Sequence, residues 1–258
     1  KAVQELIQRQ GQQGTVDQWR QGYTLELNEV KRRRLTAVTS EEELKVAKLQ
    51  AIRIRMQLEP KHDGRKKARL IMQGFREPKE WDGGATDSPV VAMSTIRTMM
   101  AMLRLPGGDV GETISAVDVS TAFLQAAEYD PEEPPRYVKY KAHAGAEEEY
   151  YRLRGPLYGQ RSAPLRWYKT LREWLLAPEQ GFREAKNEPC VYVKDDLVVV
   201  AWVDDLLLRG TADATTEFYK EFEKAFDIKD PSYLAEEAPL RFVGFDITKE
   251  KGTDEEIK

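Results

Sequence analysis

Leu197-Val198-Val199-Val200-Ala201-Trp202-Val203-Asp204-Asp205-Leu206-Leu207-Leu208 is the stretch on which the fold turns. Two apolar runs rich in branched residues read as a buried hairpin, and two adjacent carboxylates interrupt them at its tip. No Lys or Arg follows until Arg209, so two ionised carboxylates there cost on the order of several kcal/mol unless something compensates. A divalent cation is the usual compensation, and magnesium is typically held by one or two carboxylates together with substrate phosphates. The plain alternative is an exposed two-residue turn, which Asp-Asp tolerates at a hairpin end. Such a turn is read at Asp195-Asp196, just after Cys190-Val191-Tyr192-Val193.

A second source of carboxylate lies upstream. Residues 113–119 read as a strand that runs into a helix at about Ser120, which places Asp118 at the strand's C-terminal edge, beside helix-entry amides of the kind that attract phosphate oxygens. As a simple helix cap, Asp118 would need no metal. If Asp118 and Asp204 lie on neighbouring strands, two ions about 3.5–4 Å apart can be held, an arrangement that activates an attacking hydroxyl and steadies a leaving pyrophosphate.

Composition narrows the chemistry further. Among 258 residues Cys190 is the one cysteine, which excludes a disulfide framework, a cysteine zinc site and an iron–sulfur cluster. The two histidines, His62 and His143, stand at no metal-ligand spacing, so histidine-based zinc chemistry and a serine-histidine triad are both disfavoured. Every apolar run is far short of a membrane span. The net charge of -4 hides an asymmetry: residues 1–105 carry +7 and residues 106–258 carry -11. A polyanion engaged mainly from the basic side fits this balance, and so does ordinary solvated surface.

The remaining elements follow from periodicity. Residues 1–44 read as a polar, Gln-rich extension with some helix, carrying Lys31-Arg32-Arg33-Arg34 and Glu41-Glu42-Glu43. Residues 51–58 alternate with period two, residues 59–64 turn, and residues 65–72 return as a basic strand that puts Arg65, Lys67 and Arg69 on one face. A helix is expected from Ser94 or Thr95, with Ile96, Met99, Met100 and Leu103 on one side and Pro106-Gly107-Gly108 as its stop. A short strand over 137–140 sits in a Pro- and Glu-rich stretch. Pro164 opens a helix striped by Leu165, Tyr168, Leu171 and Leu175, and a later helix sets Phe218, Phe222 and Phe226 four apart. A strand pair over 241–248 closes the pattern. Strands that come partly as hairpins among helices make the class α+β.

Six blocks in order now carry a resemblance. They are Lys67-Ala68-Arg69-Leu70 through Gly74-Phe75; Ser88-Pro89-Val90-Val91; Val117-Asp118-Val119-Ser120-Thr121-Ala122-Phe123-Leu124; Leu157-Tyr158-Gly159 through Ala163-Pro164 and Trp167-Tyr168; Val203-Asp204-Asp205-Leu206-Leu207; and Phe242-Val243-Gly244-Phe245-Asp246-Ile247. Together they resemble the reverse transcriptase of copia-type long-terminal-repeat retrotransposons. The likeness runs over roughly residues 50–248.

The resemblance implies a right-hand polymerase of fingers and palm, the palm a mostly antiparallel sheet packed on helices. It assigns 45–93 and 128–163 to fingers, 94–127 and 164–248 to palm, and leaves 1–44 as the extension and 249–258 as a truncated tail. It implies template-directed DNA synthesis from a primer 3′ hydroxyl on an RNA or DNA template, with deoxynucleotides as substrate and two magnesium ions, manganese being the substitute. Asp118, Asp204 and Asp205 would be the catalytic metal ligands, helped by the Val119 carbonyl. Arg65, Lys67, Arg69, Ser120, Thr121, Phe123, Tyr158 and Gly159 would bind the deoxynucleotide, with Phe123 as a steric gate against a ribose 2′ hydroxyl. Gln160, Arg161, Pro164, Trp202, Val203, Phe242 and Gly244 would meet template and primer.

Some positions depart from the family pattern. Trp202 stands where Tyr commonly precedes Val-Asp-Asp, and Gln160 and Ser162 replace the commoner Leu and Gln of their loop. The chain starts at Lys1 rather than Met and stops soon after the sixth block, so a piece of a longer retroelement polyprotein is expected, with integrase and ribonuclease H elsewhere and no full thumb. The setting implied is intracellular, in the cytoplasm or a virus-like particle, with no membrane contact. Two other readings use the same residues. A catalytically idle nucleic-acid-binding fragment would keep the basic strand but has no reason to tolerate three desolvated carboxylates, and a nucleotidyl cyclase would have no use for a template-facing loop.

Overall fold

In the computed structural model, residues 1–61, 64–82, 86–101, 112–235 and 238–248 are described. His62, the Leu103 end of the expected helix with its Pro106-Gly107-Gly108 stop, and the tail 249–258 lie outside the described residues. The chain divides into two compact units: unit 1 is Lys1–Asp87 with Phe123–Trp167, and unit 2 is Ser88–Ala122 with Tyr168–Lys258.

Unit 1 begins with helices α1 (Ala2–Arg9) and α2 (Val16–Arg34), strand β1 (Leu35–Ala37) and helix α3 (Glu41–Gln50). The hairpin β2 (Ile52–Pro60) and β3 (Lys66–Met72) follows, as the period-two alternation requires. Helix α4 (Met93–Ala101) and strand β4 (Glu112–Asp118) belong to unit 2, and the chain returns to unit 1 for β5 (Tyr137–Tyr140) and β6 (Glu149–Leu153). Among the described residues these strands make a five-stranded sheet in the order β1-β6-β5-β2-β3, antiparallel except where β2 lies parallel to β5. Ile52, Ile54, Met56 and Leu58 face the core while Arg53 and Arg55 face out.

Residues 1–44 are not a loose extension. Trp19 and Val30 are fully buried, Tyr23 nearly so, and all three join the core formed by β2 and β3. The stripe 19, 23, 26, 30, 34 has helical spacing, but Glu26 and Arg34 are two of its five members and conceal it from a hydropathy reading. Glu26 is buried because it serves the edge strand: its Oε1 accepts the Leu70 N–H at 2.8 Å, and burial holds its carboxyl above the usual range. Gln10 does the same for β2, its Nε2 donating to the Met56 carbonyl and its Oε1 accepting the Leu58 N–H, both at 2.9 Å. The extension thus seals sheet edges that would otherwise stay unpaired.

Helix α5 (Ala163–Leu176) gives residues 163–167 to unit 1 and the rest to unit 2. Unit 2 continues with β7 (Arg183–Ala185), β8 (Glu188–Lys194), β9 (Leu197–Trp202), β10 (Asp205–Thr211), α6 (Ala212–Ala225), β11 (Ser232–Tyr233), β12 (Leu240–Phe242) and β13 (Phe245–Ile247). Its sheet, among the described residues, runs β11-β4-β10-β9-β8-β7 with antiparallel neighbours throughout. The expected aromatic stripe of α6 packs on α5, Trp174 meeting Phe218, Phe222 and Phe226 edge-on at 5.1–5.9 Å between centroids. One expectation fails at β4: no α-helix follows it. A 3-10 turn, Ala122–Gln125, takes its place, because Val119 bridges Ile228 and the Ser120 N–H donates to the Asp227 carbonyl at 2.9 Å, extending the strand's pairing beyond Asp118.

Candidate functional site

The carboxylates of unit 2 are set by strand register. Asp205 opens β10 directly opposite Asp118, the last residue of β4, and on its other side opposite Trp202, the last of β9. Residues directly opposite on antiparallel strands share a sheet face, with Cβ atoms about 4.5–5.5 Å apart. Asp204 lies in the two-residue loop with Val203, and the Val119 N–H donates to its carbonyl at 2.7 Å, which ties the loop to the end of β4. Val203 has φ 55, a left-handed conformation rare for a β-branched residue and strained by about 1–3 kcal/mol.

Burial, then the charges of Asp204 and Asp118, push the Asp205 carboxyl up to about 6 against a partial opposing pull from Lys229. Lys229 escaped the sequence reading altogether. Its Nζ lies 2.7 Å from Asp118 Oδ1, and its N–H donates to the Asp118 carbonyl at 3.0 Å. Nothing in the sequence separates this lysine from the other cations; the pairing of residues 227–229 along 118–120 brings it in. Among the described residues no three His, Cys, Asp or Glu side chains stand ready as a metal cage. The donors nonetheless suit a hard divalent cation in kind, being carboxylates whose burial and mutual charge raise the Asp205 carboxyl.

A second cluster forms in unit 1. The Arg69 guanidinium lies 5.2 Å over the Tyr158 ring, whose centroid is 5.4 Å from that of Phe123. Arg69 also sits 3.5 Å from Glu59. Phe123 is half-buried whereas its neighbour Leu124 is fully in the core, so the aromatic ring is not the residue that anchors this turn. Lys67 shares the strand face of Arg69, but Arg65 precedes β3 and lies outside the alternation. Gly159 has φ 85, and a Cβ there would collide with the Met72 carbonyl; the glycine lets its loop lie on the end of β3, where the Met72 N–H donates to the Tyr158 carbonyl at 2.8 Å.

Several residues expected at the nucleic acid are engaged inside the protein. Gln160 is 4% exposed. Its Oε1 accepts from the Leu157 N–H at 2.7 Å and the Tyr129 hydroxyl at 3.0 Å, and its Nε2 donates to Glu77 at 2.8 Å. The Arg161 N–H donates to the same carboxylate at 3.0 Å. Pro164 is the second residue of α5. In unit 2, Trp202 and Val203 are half-buried beside Asp205, Phe242 is buried, and Gly244, with φ 78, has open space around it at the tip of the β12–β13 turn. Ser120 and Thr121 follow β4 half-buried, Thr121 with φ 50.

The family profile described as Reverse transcriptase (RNA-dependent DNA polymerase) matches residues 40–255. The Retrovirus-related Pol polyprotein from transposon TNT 1-94 of Nicotiana tabacum is 30% identical over 175 residues, 64% of this chain and 12% of that one. The Transposon Ty1-DR5 Gag-Pol polyprotein of Saccharomyces cerevisiae is 26% identical over 171 residues, 66% of this chain and 9% of that one. This chain therefore spans about a tenth of the length of these relatives. Among solved structures, telomerase from Candida albicans in complex with a TWJ fragment of telomeric RNA aligns with TM-score 0.51 and 12% identity, over 89% of this chain and 50% of that one. Apo telomerase from Candida tropicalis truncated from its C-terminal domain gives TM-score 0.51 and 10% identity, over 91% and 59%. That likeness is one of fold, the α+β arrangement of polymerase fingers and palm. With the six ordered sequence blocks, the profile match and the transposon relatives in agreement, the chain belongs to the reverse transcriptase (RNA-dependent DNA polymerase) family, in its copia-type retrotransposon branch.

Proposed function

We propose that this chain extends a primer 3′ end with deoxynucleotides on an RNA or DNA template, unit 1 acting as fingers and unit 2 as palm. The observation that carries the reading is Asp118 facing Asp205 across the β4–β10 ladder, with Asp204 in the adjoining loop and the Asp205 carboxyl pushed up to about 6. In the reaction the primer 3′ hydroxyl loses its proton to solvent and its oxygen attacks the α-phosphorus; a P–O bond forms there, the bond from the α-phosphorus to the α–β bridging oxygen breaks, and pyrophosphate leaves. Asp118, Asp204 and Asp205, with the Val119 carbonyl, would hold two magnesium or manganese ions. When bound, these ions lower the pKa of the attacking hydroxyl and neutralise charge on the leaving pyrophosphate.

The chain's own residues do the positioning. Arg65, Lys67 and Arg69 offer charge-assisted hydrogen bonds to a triphosphate, Arg69 being steadied by the Tyr158 ring. Phe123, half-buried against Tyr158, is the steric gate: it crowds a ribose 2′ hydroxyl and offers it no acceptor. Gly159, Ser120 and Thr121 border the nucleotide. Gln160 acts as a positioning residue, since its amide holds the loop that carries Tyr158 and Gly159. Arg161, Pro164, Trp202, Val203, Phe242 and Gly244 serve template and primer. The partners are a primed nucleic acid and the rest of a retroelement polyprotein, in an intracellular or virus-like-particle setting. Among the described residues no helix is long and apolar enough to cross a membrane.

Primer extension on a primed RNA homopolymer, with magnesium and then manganese, tests this. Incorporation of deoxynucleotides is expected, and Phe123→Val should accept ribonucleotides far better relative to deoxynucleotides. Binding of primed template without extension under either metal would overturn the enzyme in favour of an idle binding module. An unchanged sugar preference in a folded, active variant would return Phe123 to a packing role.

A further inference from the structure

Gln160 stands where leucine is commoner, and a buried amide there needs polar partners that a leucine would not. Separate segments of unit 1 supply them. The fully buried Glu77 carboxylate accepts the Gln160 Nε2–H on Oε1 and the Arg161 N–H on Oε2, which ties residue 77 to both neighbours. Because a carboxylate only accepts, Nε2 must face Glu77 and Oε1 the Leu157 N–H, so the Tyr129 hydroxyl is the donor in its bond to Oε1. Burial pushes the Tyr129 hydroxyl above its ordinary range, which keeps the donated proton in place.

Tyr129 is itself clamped. The Arg136 guanidinium lies 3.9 Å from its ring centroid and the Arg166 guanidinium 4.5 Å. Glu133 holds both arginines, its Oε2 lying 2.7 Å from Arg136 Nη2 and 2.8 Å from Arg166 Nη2. Arg136 is buried, so its contact with the ring is stronger than a surface pair would be. The Tyr129 N–H adds a bond of 2.7 Å to the Arg154 carbonyl. On the far side of Gln160, Gly74 lies so close to the Gly159 carbonyl that a Cβ would collide with it. Residues 72–77 and 157–161 are therefore fastened together, with Tyr158 between Arg69 and Phe123.

We propose that Tyr129 is a positioning residue for the incoming deoxynucleotide: its hydroxyl fixes Gln160, Gln160 fixes the loop over 157–160, and that loop sets where Tyr158 holds Arg69 and Phe123. This rests on the nucleotide site of the reading above. One hydroxyl thereby governs both the triphosphate cation and the sugar gate, while the carboxylates belong to unit 2 and keep their own supports.

Tyr129→Phe tests this, because it keeps the ring between its two arginines and leaves Gln160 Oε1 its bond from Leu157. The variant should raise the KM for deoxynucleotide about threefold to tenfold, the worth of one buried hydrogen bond, with kcat within about twofold. Its preference for deoxynucleotides over ribonucleotides should narrow, which a mere loss of stability would not cause. Gln160→Leu should also raise KM, since it leaves the Leu157 N–H without its acceptor. Adding Tyr129→Phe to Gln160→Leu should then change KM by less than about twofold, the link being already broken. An unchanged KM in Tyr129→Phe, an unchanged sugar preference, or additive effects of the two substitutions overturns the proposal. A primed template ending in a dideoxynucleotide, titrated with the next deoxynucleotide, reads nucleotide affinity without chemistry. If the parent binds nucleotide but extends no ordinary primer, and Tyr129→Phe weakens that binding, the polymerase falls and the role of Tyr129 stands. Extension with equal nucleotide affinity in parent and variant does the reverse, and a parent that neither binds nucleotide nor extends overturns both.

Discussion

At one end of β9, Asp195 and Asp196 form the whole loop to β8: Lys194 pairs with Leu197 across them, and both aspartates are exposed. At the other end, an identical dipeptide meets the loop to β10 one residue later in the frame. That loop is Val203 and Asp204, closed by Trp202 opposite Asp205, so the second aspartate enters the sheet and faces Asp118. In each loop the first residue alone has positive φ, 43 at Asp195 and 55 at Val203. Asp tolerates that conformation and Val does not. A shift of one residue therefore turns a solvated turn into a strained one that buries a carboxylate among others. The exposed Asp-Asp turn that residues 204–205 could have formed is realised nine residues upstream instead.

The largest test of this contrast is catalytic. Asp118→Asn or Asp204→Asn should lower primer extension on the order of a thousandfold, about 4 kcal/mol of transition-state stabilisation. Asp195→Asn and Asp196→Asn should stay within about twofold, as surface changes do. Equal losses at both ends of β9 would break the comparison.

The next effect is on stability against pH without metal. The folded Asp205 carboxyl titrates near 6, above its ordinary 3.8, so the fold holds that proton more tightly than the unfolded chain. Its contribution is most favourable below about 4, declines as pH rises to about 6, and stays lost above. Asp205→Asn should then melt a few degrees above the parent at pH 8, the gap closing toward pH 4. Magnesium should raise the parent's melting temperature at pH 8 and the variant's less.

A smaller shift is expected from Lys229→Met, which frees Asp118 Oδ1 of its ammonium partner. The magnesium concentration giving half-maximal thermal stabilisation should fall about twofold to fivefold, the worth of a partly exposed ion pair. An unchanged or raised requirement would mean that Lys229 supports the metal site instead of competing with it. Smallest of all, Val203→Gly should stabilise by up to about 1 kcal/mol in denaturant titrations, and Asp195→Gly by less.

How much of this is legible in advance differs from element to element. The β2–β3 hairpin and the Phe218, Phe222, Phe226 stripe follow from periodicity, because each side chain's environment there is decided by its own strand or helix. The roles of Glu26 and Gln10 are hidden, since a polar residue that serves a sheet edge looks in sequence like one that faces water. Gln160 is expected at the nucleic acid for a similar reason, its partners being supplied by segments as distant as Glu77. The missing helix after Asp118 belongs to the same class: residues 227–229 compete for the backbone of 118–120, and no local propensity registers them.

By itself the sequence determined the family, through six ordered blocks, and marked the carboxylates in an apolar run and the cations along a strand as candidates for the chemistry, because such groups are expensive wherever the chain puts them. The tertiary structure alone decided that Asp205 rather than Asp204 enters the sheet opposite Asp118, that Lys229 sits on Asp118, and that Trp19, Tyr23 and Val30 belong to the core. These outcomes depend on register and on partners far away in the chain, and pairing energies of that kind are set only once the strands have met.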